Sequence, residues 1–194
     1  MYRAQQKSSV NPIWILIGVN VVLFILTLTR PNLFLYLGLM PAGVGYRPWT
    51  VFTSLFLHGG IWHILGNMIT LYFFGRYLRA LLGNIRFLII YFAGGMLGSL
   101  FYVLLAPYNS IAIGASGAVF SLAGVLAVMR PKLKVLVFPV PIPMPLWAAV
   151  TGGFIIISFF PNVAWQSHLG GLVFGLISGY FFRRQERNIY RYRY

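Results

Sequence analysis

The sequence predicts an all-α integral membrane protein with six transmembrane helices. Three observations carry that expectation. Hydrophobic residues make up 59% of the chain and charged ones 8%, where a soluble domain carries about 25% charged residues. Apolar runs long enough to cross a bilayer recur along the chain, separated by Gly, Pro and basic residues. The Lys and Arg residues gather in alternate connections, as they do in a polytopic protein.

Residues 1–11 are polar, carry Arg3 and Lys7, and form an N-terminal segment. The first span runs from Pro12 to about Thr29. It is too long for a signal peptide and lacks a small-residue cleavage site, so it is read as retained. Arg30 to Gly60 is broken by Pro31, Pro41 and Pro48, yet it is too apolar for a solvated loop. It is expected in the outer interface, with Tyr36, Tyr46 and Trp49 at headgroup level. Ile61 to about Leu82 is the second span, and about Ile85 to Ala106 the third. A fourth, from Ser116 to Met129, is closed by Arg130, Lys132 and Lys134. Residues 135–146 hold Pro139, Pro141, Pro143 and Pro145 and are read as an extended connector. Leu146 to Phe160 is the fifth span, ended by Pro161, and Gln166 to about Phe182 the sixth. Residues 12–182 therefore form one six-span core, and the basic tail 183–194 is expected to fray.

With six spans, thirteen of the fifteen Lys and Arg residues fall on one side, leaving Arg30 and Arg47 on the other. That asymmetry places both termini in the cytoplasm, in a multi-pass protein of the cell membrane. It also places Ser116, His63 and His168 toward the outer face. Fourteen residues of helix from Ser116 to Met129 measure about 21 Å, against a hydrocarbon core of about 30 Å. Ser116 then lies roughly 10 Å below the outer surface. Irregular backbone at that depth must line a wet cavity or be buried in protein.

Composition also excludes chemistries. Glu186 is the only acid, it lies beyond the last apolar run, and there is no Asp. An aspartyl dyad and a His-Glu-x-x-His zinc site are therefore absent, and an acid-based proton relay is disfavoured. There is no Cys and hence no thiol chemistry. The net charge of +14 is spread between apolar runs and one tail, which fits a lipid surface better than nucleic acid.

Three polar stretches remain. Ser116 sits in Gly114-Ala115-Ser116-Gly117, at the start of a helix. On its own, such a tetrapeptide is a small-residue packing site. As a nucleophile, the serine would sit on glycine-permitted backbone with free N–H groups suited to an oxyanion. His168 opens His168-x-x-Gly171-x-x-x-Gly175, with both glycines on its own helix face. Gly117, Ala123, Gly124 and Ala127 form a matching stripe, so the two helices can meet backbone to backbone and bring His168 to Ser116. The duller reading of His168 is a capping residue at the interface. His63 and Asn67, at i and i+4, share a face that does not belong in lipid. A metal site of His58, His63 and His168 lacks an acid or Cys to complete it. The set as a whole fits a serine nucleophile with a histidine base, a dyad for want of a carboxylate.

At these residues the chain resembles the rhomboid intramembrane serine proteases. His58…His63-x-x-x-Asn67, Gly114-x-Ser116-Gly117 and His168-x-x-Gly171-x-x-x-Gly175 follow in the family's order, and the likeness covers the whole six-span core. The resemblance implies a six-helix bundle around a water-filled cavity open to the outside. It implies nucleophile Ser116 and base His168, with an oxyanion hole from His63, Asn67 and the Ser116 N–H. It implies that residues 30–60 are a membrane-embedded first loop, that substrates are single-span membrane proteins in the bilayer, and that no cofactor is needed. Four positions depart from the family's habit: Trp49-Thr50 for Trp-Arg, Arg79 for Glu, Phe120 for a Tyr that can stack on the base, and Ser167 for Ala. A non-catalytic binder of membrane helices and a small transporter are the other readings.

Overall fold

The structure, a computed structural model, describes residues 11–137 and 140–191. Most of the N-terminal segment, with Arg3 and Lys7, and the last residues of the tail lie outside the described residues. Helix α1 spans Pro12–Thr29. The Asn11 side chain accepts the Ile13 N–H at 3.1 Å, and Pro12 occupies the first turn, where its missing N–H costs nothing. Helix α4 (Ile61–Leu82) and helix α5 (Asn84–Leu105) are joined by Gly83 alone, at φ 85°, a left-handed conformation that glycine adopts freely.

Between α1 and α4 the chain forms α2 (Leu33–Leu37), a 3-10 turn at Pro41–Gly43, α3 (Thr50–Thr53) and a second 3-10 turn at Ser54–Phe56. Side chains tie these pieces together. An Arg47 guanidinium N–H donates to the Leu35 carbonyl, Trp49 Nε1 to Tyr36 at 3.0 Å, and Thr53 Oγ1 to Leu37 at 2.8 Å. The Trp49-Thr50 departure therefore does not leave the connection loose, because Arg47 and Trp49 both close on α2.

Helix α6 (Ser116–Met129) is the centre, lying against α4, α5, α7 (Leu146–Ser158) and α8 (Trp165–Arg191). Glycines set the spacing. A Cβ on Gly171 would strike the Gly117 carbonyl, one on Gly175 the Ser121 carbonyl, and one on Gly179 would come within 2.9 Å of Val125 backbone. Gly94 and Gly98 of α5 do the same against Ser121 and Ser167. Of the predicted α6 stripe, Gly117 and Gly124 lie on the approach to α8, joined there by Ser121 and Val125. That serine Oγ sits 2.8 Å from the Ile90 carbonyl and is satisfied inside the bundle.

One further expectation is sharpened and one is corrected. The proline-rich connector is a paired hairpin, β1 (Lys134–Val137) antiparallel to β2 (Val140–Pro145), closed by Leu146 N–H to the Leu133 carbonyl at 2.8 Å. The basic tail continues α8 as helix to Arg191. No Gly or Pro interrupts it, and Arg130 makes a two-pronged ion pair with Glu186 at 2.8 and 2.5 Å. Arg183 also donates to the Val128 carbonyl at the end of α6, at 3.0 Å. By length and composition α1 and α5 are each apolar enough to cross a membrane, while α6 and α7 are shorter apolar helices.

Candidate active site

Ser116 is the first residue of α6, and the backbone before it is built to turn. Gly114 has φ 127°, where a side chain would be strained, and a Cβ there would lie 2.7 Å from His63 Nε2. The Gly114 N–H donates to the Ser54 carbonyl at 2.9 Å, and Leu39 pairs with Ala112. The first loop thus clamps the strand that leads to the serine. Beyond Gly114, the first-turn N–H groups of α6 have no partner within the helix and carry its positive dipole end.

His168 lies in the first turn of α8. Its Nε2 is 2.7 Å from Ser116 Oγ. The ring is buried, and Phe120, one helical turn after Ser116, stacks on it with centroids 4.7 Å apart and planes at 29°. The Phe120 ring in turn meets Phe154 of α7 edge-on at 5.9 Å. Nδ1 of His168 has no partner among the described residues. No carboxylate orients this imidazole; ring stacking and burial hold it instead.

Asn67 is buried on α4, and its side-chain amide donates to the His63 carbonyl at 2.8 Å. An amide nitrogen carries two hydrogens, so one remains free. His63 lies next to Gly114, and the buried His58 ring meets it edge-on, with centroids 4.9 Å apart. Among the described residues no three metal-ligating side chains converge. A narrow cleft beside Ser116 is lined by Ser54, Ser99, Ala112, Ala164 and Ser167. The sequence brings Ser116, His168, His63, Phe120, Gly114, Gly117, Gly171 and Gly175 into view. It gives no sign of the Ser54 carbonyl or of Phe154, whose parts depend on loop closure and on α7 reaching α6.

The arrangement has what acyl transfer requires: an alcohol touching an imidazole, beside unpaired N–H groups at a helix start. Residues 46–185 match the family model described as the Rhomboid domain. The chain is 29% identical over 193 residues to rhomboid protein 1, mitochondrial, of Saccharomyces cerevisiae, covering 88% of this chain and 53% of that protein. It is 32% identical over 133 residues to rhomboid protease GluP of Bacillus subtilis, covering 67% and 25%. It is 38% identical over 78 residues to inactive RHOMBOID-like protein 8 of Arabidopsis thaliana, covering 40% and 22%. The chain thus spans about half the length, or less, of these relatives.

Proposed function

Because the chain belongs to the rhomboid family, which is membrane-embedded and includes proteases, we propose that it is an intramembrane serine endopeptidase working through Ser116 and His168. The observation that carries this reading is the 2.7 Å contact between Ser116 Oγ and His168 Nε2. In the acylation step Ser116 Oγ attacks the scissile carbonyl and passes its proton to Nε2. The oxyanion is met by the Ser116 N–H, His63 and the free Asn67 hydrogen. The imidazolium returns the proton to the departing amine. Water, deprotonated by His168, then releases the acyl group and restores both residues.

The placement we propose has residues 12–182 crossing the bilayer six times, both termini cytoplasmic and the site toward the outer face, with residues 30–60 as the embedded first loop. The Lys and Arg asymmetry supports it. The substrate is a single-span membrane protein. Its scissile carbonyl is hydrogen-bonded within its own helix, so about a turn must unwind before Ser116 can reach it. Gly and Pro in the substrate span ease that step by about 1 and 3 kcal/mol relative to Ala.

One relative is named inactive, so the test must read chemistry on this chain. Purified protein in nanodiscs is expected to cleave a single-span substrate and to take a fluorophosphonate label on Ser116. Ser116→Ala should abolish both, and His168→Ala should abolish cleavage and depress labelling, with helical content unchanged. Unaltered turnover in either variant would remove the Ser116–His168 mechanism, and neither cleavage by nor labelling of the folded wild type would leave a non-catalytic binder of membrane helices as the better reading.

A further inference from the structure

The hairpin between α6 and α7 has a chemistry that proteolysis does not use. Twelve consecutive residues, Val135 to Leu146, lack any charged or hydrogen-bonding side chain, yet Val135–Val137 and Val140–Pro145 are strand and not helix. Val135 packs against the helical core, while Leu136 is 69% and Ile142 66% exposed. Val135 thus holds the hairpin to the bundle while Leu136 and Ile142 each present apolar surface outward. In water such surface would be unfavourable by about 25 cal/mol for each Å² of it.

The backbone points the same way. Lys134 pairs with Pro145, Val135 with Met144 and Val137 with Val140. Proline cannot donate to a ladder, so the donors facing β1 come from the even-numbered positions of β2. The strands shift register between Val135 and Val137, and on the free edge of β2 Pro143 and Pro145 leave no N–H to satisfy. An edge without unpaired donors loses much of the penalty that bars open sheet edges from lipid. Its outward carbonyls still need donors, and that fixes the depth at the wet headgroup layer.

Helix length agrees. The 14 residues of α6 and the 13 of α7 measure about 21 and 20 Å, short of a hydrocarbon core of about 30 Å. Helix α7 packs on the hairpin and α6 leads into it through residues 130–133, so it is held at the lipid boundary. Exposed Lys132 and Lys134 flank it. The chain's single carboxylate, Glu186, is already engaged by Arg130, so no acid neutralises these two cations.

We propose that the β1–β2 hairpin is an interfacial membrane anchor, with Leu136 and Ile142 seated among acyl chains and Lys132 and Lys134 on anionic phospholipid headgroups. The proposal rests on the membrane embedding of the family and is independent of the catalytic reading. The chain has no Cys, so Leu136→Cys, Ile142→Cys and, as a wet reference, Arg187→Cys can each carry a single fluorophore in the full-length protein. In phosphatidylglycerol–phosphatidylcholine vesicles, labels at 136 and 142 should be quenched by brominated acyl chains and protected from acrylamide, unlike the label at 187. Lys132→Gln with Lys134→Gln should lower the preference for phosphatidylglycerol over phosphatidylcholine by about 25-fold, at about 1 kcal/mol per lysine, and added salt should do the same. Acrylamide access at 136 and 142 equal to that at 187 would overturn the proposal. Protection without bromolipid quenching would also overturn it and assign that apolar surface to a second copy of the chain. An unchanged headgroup preference in the double variant would remove the anionic lipid as partner. None of these readouts depends on proteolysis.

Discussion

The two helices that flank the Ser116–His168 pair are packed in opposite ways. On one side α6 meets α8 through backbone, with Gly171 and Gly175 leaving no room for a single Cβ. On the other, α7 reaches the site through one ring, Phe154 against Phe120. Only Leu146, Ala149 and Val150 of α7 are buried, whereas on α6 only Ser116, Phe120 and Val128 are not. The pair that must hold a hydrogen bond is carried on the close-packed seam. A sparsely buried helix borders it, on the side where the proposed function needs a way in for substrate. Reacting groups profit from rigid support and access profits from weak packing, and here the two demands fall on different neighbours of one helix.

The seam can be broken outright. Gly171→Val puts two methyl groups where the Gly117 carbonyl lies, so α8 must move off α6. We expect cleavage below detection, fluorophosphonate labelling lost, and stability lowered by about 1–3 kcal/mol. Retained activity would mean that the glycine contact does not set the Ser116–His168 distance. Asn67→Ala tests the polar wall on α4. Losing one oxyanion donor should lower the rate by about 10²–10³ while labelled protein stays folded; an unchanged rate removes Asn67 from the site. Phe154→Ala tests the open side. An aromatic pair contributes about 0.5–1.5 kcal/mol, so the rate should change by no more than about tenfold and the melting temperature fall by about 2–5 °C. A loss as large as that of Gly171→Val would abolish the contrast between the two sides.

The smallest effect belongs to the far end of the seam. The hydrogen bond from Arg130 holds the Glu186 carboxyl below its ordinary value of 4.5. A depressed folded-state value means that the stabilisation is complete above 4.5 and is lost as pH falls through the lower value. Glu186→Gln should therefore cost up to about 1 kcal/mol near neutrality, as a partly exposed pair does, and nothing in strong acid. Melting curves of both proteins from pH 7 down to 3 should converge.

Much of this was legible in the residues. Gly and Pro punctuation placed α1, α4 and α6 at their observed ends, with Pro12 opening α1, Gly60 and Gly83 bracketing α4 and Pro131 following α6. The i+3 and i+7 glycines after His168 foretold a backbone contact with the serine helix. Pro141, Pro143 and Pro145 marked an extended segment, as observed, but not its pairing, because a strand tolerates proline where no ladder donor is needed and sequence alone does not show which edge that is. The charged tail read as fraying because its one acid finds its partner 56 residues away, in Arg130. The Asn67 amide bonding back to its own helix was equally invisible, since i, i+4 spacing fixes a face and not a rotamer.

The one-residue joint at Gly83 makes α4 a long lever with its fulcrum on the side remote from the chemistry. His63 lies 20 residues from that joint, about 30 Å along the helix. A swing of about 5° there would carry His63 roughly 2.6 Å, the length of a hydrogen bond. The angular tolerance of the polar wall is therefore a degree or two, and it is not the joint that supplies it. It rests on Ile64, Asn67 and Met68, buried at the free end of the arm, where a small loss of volume is magnified least and corrected soonest.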